Sequence, residues 1–228
     1  MSDTLVPGPR PGPPYRAVRR RWAAAGLALA LLVAATGCTG SRERTAATEP
    51  TGDATPVAVT GPLCAALPSG AEPGSPGSLV GLPPDRALTW IPVLTTFEAA
   101  VRATGMAGEL SATAGVTILA PTDDAFRARF STANLDQLLL KETDTLRALL
   151  REHLATGARP VAELVAAGTV TTRAGSTLAV TAAGSGARVA DRAETVCADY
   201  RAAGARIHVI DEVLGDLPVT AHEEEHHH

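Results

Sequence analysis

The chain has 228 residues, 45% of them hydrophobic but only 3% aromatic, and a formal net charge of −4. That supports one aliphatic core rather than two, so a single folded domain is expected. Lys141 stands alone against nineteen arginines, and the acidic balance argues against the basic surface that nucleic-acid binding requires.

The first 37 residues run from a Pro/Gly-rich start through RAVRRRW to AAAGLALALLVAATG. Basic, then apolar, then small residues are the order of an export signal. Trp22 to Thr36 is about 15 residues, short for a membrane span. Cys38 follows in AATGC, which resembles a bacterial lipobox, with Ala35 where leucine is usual. The resemblance implies cleavage before Cys38 and lipidation of its thiol, with ordinary secretion as the alternative. The arginine run also hints at twin-arginine export, although a basic start needs only positive charge. Removing residues 1–37 takes away five arginines and Asp3, leaving 15 basic and 23 acidic residues, a net charge of −8. Membrane attachment would then depend on acyl chains at Cys38 and not on attraction to anionic lipid.

Residues 38–61 are rich in Thr, Pro, Ala and Gly and have no helical or strand period, so they read as a tether of at most about 75 Å. Cys64 and Cys197 would lie on the oxidising side of a membrane, where a remaining pair normally forms a disulfide. Joining them closes a loop of 133 steps, stabilising by at most about 5 kcal/mol in the chain-entropy picture. Two free thiols or a metal site are the alternatives, and both need partners that the sequence does not supply.

The folded domain is expected over 62–219, with a core over 88–217. TWIPVLTTFEAAVRATG carries Val93, Leu94, Phe97 and Val101 at helical offsets, with Gly105 as a stop. GVTILAP reads as a strand closed by Pro121, after which Thr122 or Asp123 can cap the following turn. TDTLRALLREHLATG places Leu146, Leu149, Leu150, His153 and Leu154 on one helical stripe ending at Gly157, which points His153 inward. PVAELVAAG is a short helix with Pro160 at its first position and Gly168 as its stop. Strands follow from TVTTRAG to ARIHVIDEVLG, where alternation puts His208 opposite Ile207 and Val209 as a partly exposed strand histidine. Helices first and a meander afterwards indicate an α+β domain.

Three stretches in this order, VTILAPTDDAF, LLREHLATG with VAELVAAG and TVTTRAGSTLAV, and IHVIDEVL, resemble the fasciclin (FAS1) domain across residues 88–217. With the lipobox, tether and cysteine pair, the chain resembles single-domain, lipid-anchored or secreted fasciclin antigens of actinobacteria. The resemblance implies a wedge-like β-sandwich with a helical layer. It also implies a non-enzymatic role at the cell surface, in adhesion or in binding an envelope protein or ligand not readable from the sequence. Its motif positions fall on Thr122, Asp123, Phe126, His153 and His208. Many members have a Tyr-His pair, proposed in animal relatives to contribute to adhesion, where this chain has Glu152 and His153. That departure argues against an integrin-type role; His153 itself matches, and its place on the apolar stripe favours a packed structural histidine over a binding role.

Catalytic constellations find little support. AGSTL and GSGAR lack the strand-to-helix elbow that raises a nucleophilic serine. Asp123 and Asp124 are adjacent, so on a helix start they diverge by about 100° and make a poor shared-proton pair. The sequence has no phosphate-binding glycine loop, no CxxC and no basic-aromatic strip, and no cofactor is expected. HEEEH at residues 222–226 fits H-E-x-x-H, but only two residues follow it and Pro218 has already closed the domain. His222 and His226 remain weak metal candidates in a His/Glu tail over 220–228, which also reads as a solvated terminus or an appended tag. The alternative function is an extracytoplasmic carrier of a small ligand or metal.

Overall fold

A computed structural model describes residues 57–217. The segment before Cys64 is laid against the sheet. Thr60 and Ala198 exchange backbone hydrogen bonds of 3.2 and 2.7 Å, and the Leu63 amide donates to Val196 O at 2.9 Å. Thr60, which the sequence placed in the tether, is thus part of the domain. A 3-10 turn over Cys64–Ala66 leads to the short helices α1 (Pro76–Leu79) and α2 (Pro84–Leu88).

Next come α3 (Thr95–Ala103), α4 (Ala107–Leu110), β1 (Val116–Pro121), α5 (Asp123–Arg129), α6 (Thr132–Leu140) and α7 (Thr143–Arg151). Phe97, Ala100 and Val101 form the buried face of α3, as the stripe predicts. The helix starts later than TWIPV suggests, because residues 89–94 turn beside Pro92 and the cap for its first amides comes from elsewhere in the chain.

The helix expected to run to Gly157 ends at Arg151. Leu154–Thr156 is instead strand β2, antiparallel to β1 with Ile118 opposite Leu154. The stripe misleads because the helix and the strand after it bury residues in one core: Leu146, Leu149, Leu150 and Leu154 all belong to it. Then follow α8 (Val161–Ala167), β3 (Thr169–Thr171), β4 (Thr177–Ala183), β5 (Gly186–Val189), β6 (Ala193–Ala202) and β7 (Ala205–Ile210). Pro160 is the residue before the first turn of α8, with extended ψ of 155°, and Gly168 closes the helix at φ 70°.

The strands run β2-β1-β7-β6-β5-β4-β3 in one seven-stranded sheet among the described residues. β1 and β7, the second and third strands, pair in parallel, and the remaining pairs are antiparallel. The sheet curls until its outer strands meet: Ala155 bridges Thr172, and the Arg173 amide donates to Leu154 O at 2.7 Å. The sandwich is therefore one continuous sheet folded over.

Period-two alternation divides the central strands between two cores. Val116, Ile118, Ala120, Ile207, Val209 and Tyr200 face the helical layer with Phe97, Phe126 and Leu146. Leu119, Ala198, Ile210, Val180 and Val189 line the inside of the curl, which Val161 and Leu164 of α8 fill. With both faces covered, β1 is buried at all six positions and reads as a continuous apolar run.

Candidate functional site

β1 carries its pairing one residue past Pro121, where the Thr122 amide donates to Ile210 O at 3.0 Å. Thr122 then turns the chain, and its Oγ1 accepts from the Ala125 amide at 3.1 Å, capping α5. One turn on, Phe126 is buried in the helical-layer core.

Asp123 does not share that task. Its own amide donates to Val93 O at 2.8 Å, its Oδ1 accepts from the Thr96 amide at 2.7 Å, and its Oδ2 accepts from Thr95 Oγ1 at 2.8 Å. It caps α3 rather than the turn that follows it, which corrects the sequence expectation. Partial burial opposes ionisation, but the bonds from Thr96 and Thr95 outweigh it and hold the carboxyl below its ordinary value. Asp124 is exposed and pairs with Arg127 one turn ahead. The two acids thus serve different partners and form no dyad.

His153 lies in the turn between α7 and β2 and is fully buried. Nε2 accepts from the Leu214 amide at 2.9 Å, so the ring is neutral and Nδ1–H donates to Leu149 O at 2.9 Å. Its edge meets Phe97 with centroids 6.1 Å apart. Burial pushes its pKa down to about 4; the Leu149 carbonyl works against that and Arg192 adds to it. Both ring nitrogens are engaged with backbone, so the ring neither receives a substrate proton nor ligates a metal. Beside it, Glu152 closes α7 as its C-cap residue. Its two oxygens accept from Thr172 Oγ1 at 3.1 Å and Ser176 Oγ at 2.8 Å, tying the end of α7 to the β3–β4 turn.

His208 is also fully buried, which corrects the reading of a partly exposed strand histidine. Alternation was right about its face, opposite Ile207 and Val209. That face lies inside the curled sheet under α8 and away from solvent. Nδ1 accepts from the Asp199 amide at 3.2 Å and Nε2–H donates to Arg159 O at 3.0 Å. Burial lowers its pKa, while the Arg159 carbonyl and the Asp199 charge pull upward.

Cys64 and Cys197 are joined, with Cα atoms 5.1 Å apart, so the bridge fastens the leader segment to β6. Thr122 to Phe126, His153 and His208 are three constellations that share no hydrogen bond, and they assemble no common centre. Among the described residues no group of three or more His, Cys, Asp and Glu is placed to hold a metal, and no helix is long and apolar enough to cross a membrane. Cys38, His222 and His226 lie outside the described residues.

Two contributors escaped sequence reading. Asp199 interrupts β6 and bonds to both His208 and α8; an aspartate within VCADY, where strands disfavour it, was the available signal. Arg192 donates to Val213 O at 3.1 Å and Gly215 O at 3.4 Å, fixing the segment that carries Leu214 to His153; no spacing announces it.

The comparisons agree with this architecture. A protein of Synechocystis sp., Protein sll1483, is 34% identical over 137 residues, covering 57% of this chain and 74% of the relative. A solved FAS1 domain pair from the insect cell adhesion molecule Fasciclin I shares 22% identity at a TM-score of 0.40, covering 55% of this chain. The chain spans 45% of that structure's own length. The family model for the Fasciclin domain matches residues 92–217, over half of the sequence and everything from the turn before α3 to the end of the described residues, and the chain belongs to that family.

Proposed function

We propose that this is a non-enzymatic fasciclin lipoprotein of the bacterial envelope, anchored through Cys38, whose domain presents a binding surface for adhesion to an envelope protein or ligand. The observation that carries this reading is the state of the motif side chains. Asp123 is spent on capping α3, and both nitrogens of His153 are spent on backbone. Neither is left for chemistry, so recognition falls to the exposed face of the helical layer. Trp90, in the turn after α2, is 50% exposed and Leu140, at the end of α6, 78%, against full burial of Phe97 and Phe126. Aromatic and large aliphatic side chains left in water are the usual anchors of a contact surface. Membership of the Fasciclin family supports the class of role without specifying a partner.

Two experiments test the reading. Cys38→Ala is expected to move the protein from the membrane fraction to the soluble fraction; unchanged partitioning removes the anchor. A pull-down from envelope extracts is expected to recover a partner with the wild-type chain and to lose it with Trp90→Ala or Leu140→Ala at unchanged thermal stability. Capture indifferent to both substitutions removes the helical-layer surface.

A further inference from the structure

Asp199 has a left-handed backbone, φ 74°, in the middle of a strand. The other described non-glycine residues with positive φ, Ala190 and Asp191, lie in the β5–β6 turn, where a tight hairpin calls for it. Asp199 falls between the pairs Cys197↔Val209 and Tyr200↔Ile207, where the β6–β7 register shifts. The conformation is uncommon for a residue with a β-carbon, although aspartate tolerates it better than most. What it achieves is an unusual set of bonds. The Asp199 amide points at His208 Nδ1, and Oδ1 accepts from the Val161 amide at 3.0 Å, at the first residue of α8. His208 Nε2–H holds Arg159 O, two residues before α8. The start of α8 thus hangs on one side chain from β6 and one from β7. Only Val161 and Leu164 of its seven residues are buried, and they close the inside of the curl.

We propose that Asp199 and His208 form an acid-sensitive latch that holds α8 over the inner apolar face of the sheet. A proton taken from solvent onto His208 Nδ1 removes the acceptor of the Asp199 amide. The nearest counter-charge is Asp199 Oδ1, 4.0 Å away, the same oxygen that holds the Val161 amide. Attraction between them draws the carboxylate off α8 and frees its first turn.

Other charged groups near the histidine do not replace this partner. Arg206 on its own strand opposes protonation, and the Arg159 guanidinium is turned to Glu163 at 2.9 Å. On β1, Leu119 lies opposite His208, and that strand has no charged residue. Loss of the first turn would expose Val161 and Leu164 and open the inner face to an apolar ligand or to solvent.

Amide exchange of the full-length protein tests the latch between about pH 7.5 and about pH 4.5, with rates corrected for intrinsic pH dependence. The Val161, Glu163 and Leu164 amides are expected to lose about tenfold more protection than Leu146 and Leu150 in α7, which report the fall in global stability that His153 brings. His208→Gln retains a donor and an acceptor without titrating, and is expected to make α8 protection follow that of α7 at every pH. Should that variant not fold, Asp199→Asn keeps an oxygen for Val161 without the charge and is expected to give the same result. Unchanged α8 protection in the wild type at low pH overturns the latch. Equal loss in α7, or an excess loss in α8 that survives in the folded variant, overturns it as well.

Discussion

The Oδ1 atom of Asp123 accepts a hydrogen bond from the Thr96 amide at 2.7 Å, so a residue beside the start of α5 closes the start of α3, 27 positions earlier. One carboxylate joins two helices and fixes how the first enters the core against β1. Asp123→Ala is expected to destabilise the domain by about 1–2 kcal/mol, read from urea unfolding, and Asp123→Asn by less. Asp124→Ala, which breaks only an exposed pair with Arg127, is expected to change stability by under about 0.5 kcal/mol. The Asp123 contribution is present above the ordinary carboxylate pKa and fades as pH falls through the lowered folded value.

His153 gives a second pH dependence whose sign follows from its depressed pKa. The unfolded chain takes up a proton near pH 6.5 and the folded chain near about 4, so acid favours unfolding between these values. Stability is expected to be flat above about pH 6.5 and to fall by up to about 1.4 kcal/mol per pH unit below it, on the order of 3 kcal/mol in total. Urea midpoints in a pH series measure this, and His153→Gln is expected to flatten that part of the curve. A histidine exposed or acting as a general base would titrate near its ordinary value and give no such slope.

Replacing both Cys64 and Cys197 by alanine is expected to cost a few kcal/mol, up to about 5, by releasing the long loop they close in the unfolded chain. The structural signature is local: the Thr60 and Ala198 amides should exchange faster, because the bridge holds the leader on β6 beside them.

Gly61 provides an independent check on that leader. At φ 141° a β-carbon there would lie 2.3 Å from Val196 O, so Gly61→Ala must push the leader off β6. The same two amides are expected to lose protection with the disulfide intact, while the α7 amides keep theirs.

The amphipathic stripes of α3, α7 and α8 and the apolar run of β1 were legible in the sequence, because each follows a period set by a face that packs on a core. Thr122 and Phe126 were legible for the same local reason. What stayed hidden depends on contacts between distant segments. β2 has three residues and inherits its burial pattern from the helix before it. Asp123 looks like a cap, but which helix it caps is decided by the loop at Val93. The burial of His208 needs the sheet to curl and α8 to cover it, and the role of Asp199 needs the register shift in β6. None of these leaves a period in the chain.

The parallel pairing of β1 with β7 also sets an order of events. Val116 to Pro121 find their partners only at Ala205 to Ile210, with five strands and four of the eight described α-helices in between. Contacts so far apart in sequence make folding slow, and no strand ladder joins β1 and β2 to the other strands until the last strand is synthesised. A chain that stops short of residue 205 leaves β1 without its parallel partner and is expected to stay open to proteases until the final strand docks.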